Sequence, residues 1–167
     1  MATSERERLE RTLGPDRPLV ALQILLESAL LIGAVVEFLL FGSGYTLVDV
    51  LVNIAVGLVL VVVGLVIASK AKRDLARNFT TSPTPVPDGS LVETGIYGRM
   101  RHPMYLGVLL VSYGWAVLWG SWFALVGSLV MTAFLLYKSR REDRLLMGRY
   151  PGYAEYKRRV PGGIVPR

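Results

Sequence analysis

The sequence predicts an all-α fold, a polytopic membrane bundle of four transmembrane helices with a cytoplasmic C-terminal helical and coil segment. Three observations carry that expectation. Hydrophobic residues fill 52% of the 167 positions and the mean hydropathy is +0.44, an apolar excess that a soluble domain does not carry. The excess is collected into four runs, at residues 18–41, 46–69, 103–119 and 121–137. All 19 Lys and Arg residues lie outside those runs.

Taken in order, residues 1–17 are charged and predict an exposed cytoplasmic helix. Ser4 with Glu7 fits a capping box, Glu7 and Arg11 are spaced i,i+4, and Gly14-Pro15 stops the pattern. Residues 18–69 hold the first two spans, each longer than the ~20 residues that cross the hydrocarbon. Gly42-Ser43-Gly44 separates them. The first run is too long for a signal peptide and no small-residue cleavage site follows it, so no secretory signal is expected. Residues 70–102 are polar, with Pro83, Pro85 and Pro87 close together, and read as a cytoplasmic loop. Residues 103–137 form a hairpin of two short spans turned at Gly120. Residues 138–167 begin as a helix continued from the fourth span and end in Pro/Gly-rich coil.

Charge placement fixes the expected topology. Four basic residues precede Pro18, six fall between Lys70 and Arg101, and nine follow Tyr137. Four spans with both termini inside put all of them on the cytoplasmic face, as the positive-inside rule requires. This also accounts for a net charge of +6 and a pI near 9.8 without nucleic acid as a partner. Trp119, Trp122, Phe41 and Tyr45 are the expected aromatic belt on the far side. With no cysteine in the chain, disulfides, thiol catalysis and cysteine metal sites are excluded. No metal is expected.

Gly57 and Gly64 lie two turns apart on one helix face, as do Gly107 and Gly114 on another, and such stripes let membrane helices approach. Carboxylates within a membrane are costly and often functional. Glu37 and Asp49, the latter with Asn53, sit near the outer interface, whereas Glu27 is deeper. Its sequence position allows an internal hydrogen bond or a substrate contact equally.

The stretch GIYGRMRHPMYLG, residues 95–107, holds the lone histidine, His102. Pro103 favours the first turn of a helix, leaving Arg101 and His102 just outside it. Counted from Gly120, His102 is 18 residues back and Lys138 is 18 residues forward, so the two lie at similar depth. Glu142 stands roughly 6 Å beyond, at 1.5 Å per residue. Acidic, basic and imidazole groups therefore converge at the cytoplasmic mouth of the hairpin. The plainer alternative is that Lys138 and Glu142 form an i,i+4 pair on a solvated face and that Arg101 snorkels to lipid phosphate.

The motifs Arg101-His102-Pro103-Met104-Tyr105-Leu106-Gly107, then Glu142-Asp143 before Leu145, then Tyr153 and Tyr156, then Pro161 and Pro166, resemble the isoprenylcysteine carboxyl methyltransferase family over about residues 90–167. The resemblance implies an integral membrane enzyme that binds S-adenosylmethionine between the last hairpin and the tail. It takes a lipophilic acceptor from the bilayer, a carboxylate being favoured. Carried over, His102, Tyr105, Leu106 and Glu142 hold the cofactor, Tyr153 and Tyr156 close the pocket, and His102, Arg101 and Glu142 are the catalytic candidates. Asp143 stands where the family has a second glutamate. The chain is shorter than eukaryotic members, so a prokaryotic-type protein of a bacterial or archaeal plasma membrane is implied and the prenylcysteine substrate is not carried over. A carboxylate acceptor needs no base, whereas an amine, phenol or thiol has a proton that His102 or Glu142 can take. Two other readings stay open: a membrane reductase of the related sterol reductase fold using NADPH, and a non-enzymatic assembly or lipid-binding module.

Overall fold

The computed structural model describes residues 16–86 and 88–166; the expected N-terminal helix with its Ser4–Glu7 cap lies outside them. Among the described residues there are five α-helices and no strand: α1 (Arg17–Phe41), α2 (Leu47–Leu75), α3 (Pro103–Trp119), α4 (Trp122–Arg149) and α5 (Tyr153–Arg159). Pro18 sits in the first turn of α1 and the Gly42–Gly44 turn ends it. Thr46 opens α2 with a capping box: its hydroxyl accepts from Asp49 N at 3.2 Å while Asp49 Oδ2 accepts from Thr46 N at 3.0 Å. Asp49 is thus a helix cap. Pro103 opens α3, and Gly120, in the left-handed region at φ 59°, closes it. Ser121 then caps α4 by accepting from Ala124 N at 2.9 Å.

α1, α2 and α4 are each long and apolar enough to cross a membrane, and α3 is a shorter apolar helix of 17 residues. Their outer flanks expose side chains such as Leu25, Leu39, Val59 and Leu129, as lipid contact requires. α2 and α4 run past the apolar runs by several charged residues, to Leu75 and Arg149.

The expected glycine stripes face each other across α2 and α3. A Cβ on Gly57 would stand 2.8 Å from Gly114 O, and one on Gly64 would stand 2.7 Å from Gly107 O. The two backbones touch along two helical turns, a contact only glycine permits.

Hydrogen bonds order the two ends of the bundle. At one end Tyr45 Oη donates to Gly120 O at 2.5 Å, and Glu37 accepts from Ser121 Oγ and from Phe123 N at 3.0 Å. Glu37 therefore places negative charge on the N-terminus of α4, where the helix dipole favours it. Here Phe38 stacks on Tyr45 and meets Trp119 edge to face. At the other end Asp16 accepts from Arg141 at 2.7 Å and from Thr84 at 2.7 Å, gathering the start of α1, the proline-rich loop and α4.

Candidate active site

Because Pro103 begins α3, the two residues before it keep free N–H groups, and the tail takes them up. Arg101 N donates to Gly162 O at 3.1 Å and His102 N to Gly163 O at 3.0 Å. The C-terminal coil is thereby laid alongside the Arg-His segment. The Arg101 guanidinium fastens it further, donating to Val160 O at 2.6 Å, to Pro161 O at 3.0 Å and to both oxygens of Asp143. Arg101 faces inward and is bound to protein on every side, rather than snorkelling to lipid.

Asp143 is the centre of this end. Besides Arg101 it accepts from His102 Nε2 at 2.9 Å, from Tyr153 Oη and from Lys157 Nζ at 3.1 Å. Its neighbour Glu142, about 100° round the helix, accepts from Tyr105 Oη at 2.7 Å and lies 3.5 Å from His102 Nδ1. The imidazole is thus clamped between two carboxylates and stacked on Tyr105, with ring centroids 5.4 Å apart. Burial disfavours its charge, but the hydrogen bonds with Asp143 and then Glu142 outweigh burial and push its pKa up to about 9. At neutral pH the ring is an imidazolium. Burial, then the bond to Asp143, pushes the Tyr153 phenol up.

A cavity of about 150 Å³ lies beneath the proline-rich loop, walled by Tyr97, His102, Tyr105, Lys138, Glu142 and Tyr153 among others. Tyr156 also lines it, and donates to Tyr97 O at 2.8 Å. The structure brings together His102, Arg101, Glu142, Tyr105, Tyr153 and Tyr156. Leu106 stands apart: it packs against two apolar clusters, one around Ala71, Ile96 and Met100 and one around Leu109 and Leu135, behind the cavity. Among the described residues no group of three or more His, Asp or Glu is placed to hold a metal.

Two residues that the sequence pattern named have roles that only the structure shows. Lys138 is buried; it donates to Gln23 Oε1 at 2.5 Å and Thr81 O at 3.0 Å and lies over the Tyr105 ring. The i,i+4 spacing suggested Glu142 as its partner, whereas its equal depth with His102 was the better signal. Asp143 kept the charge of a family glutamate, but only the fold shows that the shorter side chain meets Arg101, His102 and the tail at once.

The fold and this site define a helical membrane protein whose polar cluster sits at one end of an apolar bundle. Residues 52–152 match the family model for phospholipid methyltransferases, and the chain belongs to that family. The match reaches back through most of α2 and stops short of α5. The chain is 34% identical over 79 residues to protein-S-isoprenylcysteine O-methyltransferase of Schizosaccharomyces pombe, covering 46% of this chain and 34% of that one. It is 37% identical over 76 residues to the cobalt-zinc-cadmium resistance protein CzcN of Cupriavidus metallidurans, covering 44% and 35%. A Delta(14)-sterol reductase of Mus musculus is 33% identical over 79 residues, covering 46% and 19%. The matched stretch spans about a third of these relatives or less.

Proposed function

We propose that this chain is an integral membrane methyltransferase that takes its methyl group from S-adenosylmethionine and delivers it to a lipophilic, membrane-partitioned acceptor. In this reading α3 is a fourth crossing, both termini and the loop face the cytoplasm, and the membrane is a bacterial or archaeal plasma membrane. Membrane lipids are its partners and nucleic acid is not, a reading supported by the segregation of every Lys and Arg outside the apolar runs.

The observation that supports this best is the chemistry around one cavity: a carboxylate, aromatic faces and a buried ammonium within one wall. Bound S-adenosylmethionine supplies a methyl group already activated on a sulfonium sulfur, so catalysis needs positioning and exclusion of water more than acid–base work. The residues present fit such a ligand. Glu142 and the faces of Tyr97 and Tyr105 suit its cationic groups, and Lys138 suits its carboxylate. His102 holds Glu142 and Tyr105 in place from behind. Tyr153 and Tyr156 fix the tail side of the wall, and Leu106 supports it from the core. Arg101 acts through Asp143 and the tail carbonyls, because its donors are already engaged.

The sterol reductase relatives favour one second reading, a reductase that binds NADPH over the same stretch. Calorimetry on detergent-solubilised protein separates the two. S-adenosylhomocysteine should bind, and Glu142→Gln should weaken it at least about tenfold, or 1.4 kcal/mol. Binding of NADPH with none of S-adenosylhomocysteine overturns the proposal.

A further inference from the structure

The roof of the cavity at His102 is the loop that leaves α2. Thr81, Ser82 and Pro83 line the cavity from that side, and Ser82 and Pro83 are buried. The loop supports itself. Thr80 Oγ1 accepts from Ser82 N at 3.1 Å, and Ser82 Oγ accepts from Thr84 N at 3.2 Å, local hydroxyl bonds that stand in for backbone pairing. Pro83 and Pro85 fix two φ angles within it. Asn78 Oδ1 accepts from Ser90 N at 2.9 Å and draws the ends of the loop together. Residues 79–86 are therefore stiff enough to move as one piece.

What holds this piece down lies outside the cavity. Asp16 occupies the N-cap of α1, where a carboxylate ordinarily accepts from the N–H groups of its own helix. Here its side chain makes no such bond. It accepts instead from Thr84 Oγ1 at 2.7 Å, from Ser82 Oγ at 3.4 Å, and from Arg141 Nη2 and Nε at 2.7 and 3.1 Å. The Asp16 side chain is 3% exposed and that of Arg141 40%, so the carboxylate is buried while its counter-charge is open to solvent. Neither residue lines the cavity. On the inner side, Lys138 Nζ donates to Thr81 O at 3.0 Å.

We infer that residues 79–86 are a gate over the cavity and that Asp16, fixed by Arg141, is the positioning residue that keeps it shut. The Asp16–Thr84 contact then sets how fast a bound ligand exchanges with solvent. Lifting the gate parts Thr84 and Ser82 from Asp16 and Thr81 from Lys138, and it needs no helix to move. The inference rests on the methyltransferase reading only for its probe ligand.

Because the chain has no cysteine, Ser82→Cys places a single thiol under the gate, at the longest of the bonds to Asp16. Its reaction with a small maleimide in detergent reads local opening. Tritiated S-adenosylhomocysteine, chased with unlabelled ligand, reads exchange. Asp16→Asn and Thr84→Val should each speed both by about tenfold or more, and Asp16→Glu should recover part of the loss. Thr84→Val separates a gate from a brace, since it frees the loop while leaving the Asp16–Arg141 pair between α1 and α4 intact. Its melting temperature should stay within about 2 °C of the parent. Labelling of the parent should quicken between about 0.05 and 0.5 M salt, because the Arg141 side of the pair can be screened, and labelling of Asp16→Asn should not. Parent rates of labelling and exchange in Thr84→Val, or parent labelling that ignores salt, overturn the inference and leave Asp16 as a brace between two helices. If the parent binds no S-adenosylhomocysteine while the labelling pattern holds, the methyltransferase reading fails and the gate stands.

Discussion

Two adjacent carboxylates, Glu142 and Asp143, should fail in different ways when neutralised. Asp143 holds His102, Arg101, Tyr153 and Lys157 in one cluster, and its side chain and those of Arg101 and His102 are 11%, 9% and 3% exposed. Removing one partner of a buried ion pair costs about 3–5 kcal/mol. Asparagine keeps an oxygen that can still accept from His102, which puts Asp143→Asn near the lower end, about 3 kcal/mol. At roughly 2–4 °C per kcal/mol for a chain of this size, the melting temperature should fall by about 6–12 °C. The tail should also loosen, since Asp143 holds α5 through Tyr153 and Lys157 and orients the Arg101 guanidinium that carries Val160 and Pro161. Glu142 instead accepts from Tyr105, lies at the longer distance of 3.5 Å from His102 Nδ1, and is 28% exposed on the cavity side, so Glu142→Gln should lower the melting temperature by less than about 4 °C while weakening S-adenosylhomocysteine. Melting in detergent and limited trypsin cleavage at Lys157 and Arg158 read both. If Asp143→Asn melts with the parent and its tail is cut no faster, Asp143 is not the fastening we take it to be.

The glycine seam predicts a contrast within helices. Gly114→Ala drives a Cβ to 2.8 Å from Val61 N and 2.9 Å from Gly57 O and should cost about 1–3 kcal/mol, whereas Gly148→Ala, with nothing within 4 Å, should be neutral or stabilising by a few tenths of a kcal/mol up to about 1; urea or thermal melts compare them. For topology, cysteines at Gly44 and Asp88, both exposed, should react with an impermeant thiol reagent in intact cells at 44 and not at 88; the reverse pattern inverts the proposed orientation. His102 has its pKa raised to about 9 from an ordinary 6.5, so its stabilising contribution is whole below about pH 6.5 and is lost as pH rises through about 9. The melting temperature should fall across that window, and His102→Asn should flatten the slope; an unchanged slope would show that another group titrates there.

Much of this was legible before any fold was known, because membrane chemistry writes strongly in sequence. The spans, the basic segments and the turn at Gly120 follow from apolar runs and from charge, and counting from that turn placed Glu142 beside His102. The facing of Gly57 and Gly64 by Gly107 and Gly114 was visible as stripes, though not as a pair. What sequence could not show was direction around a helix near its end. Glu142 and Asp143 look alike in a string of letters, yet one turns to the cavity and the other to the tail. The solvated alternative for Lys138 came from its i,i+4 spacing to Glu142, while its partners, Gln23 and Thr81, are 115 and 57 positions away.

The state of His102 decides what part it can take in chemistry at the cavity it borders. A general base needs a free lone pair at working pH, and this ring has none. With its pKa near 9 it is charged at neutral pH, and its two nitrogens face Asp143 and Glu142. Losing a proton from it would leave two carboxylates confronting each other across the ring, so the arrangement resists the change that base catalysis needs. His102 is therefore suited to holding Glu142 and Tyr105 rigid. If the acceptor carries a proton, another group must take it, and Glu142 in the cavity wall is the carboxylate placed there. The Lys138–Gln23–Glu27 chain ties this wall to the apolar part of α1 and so adds to the rigidity of the site.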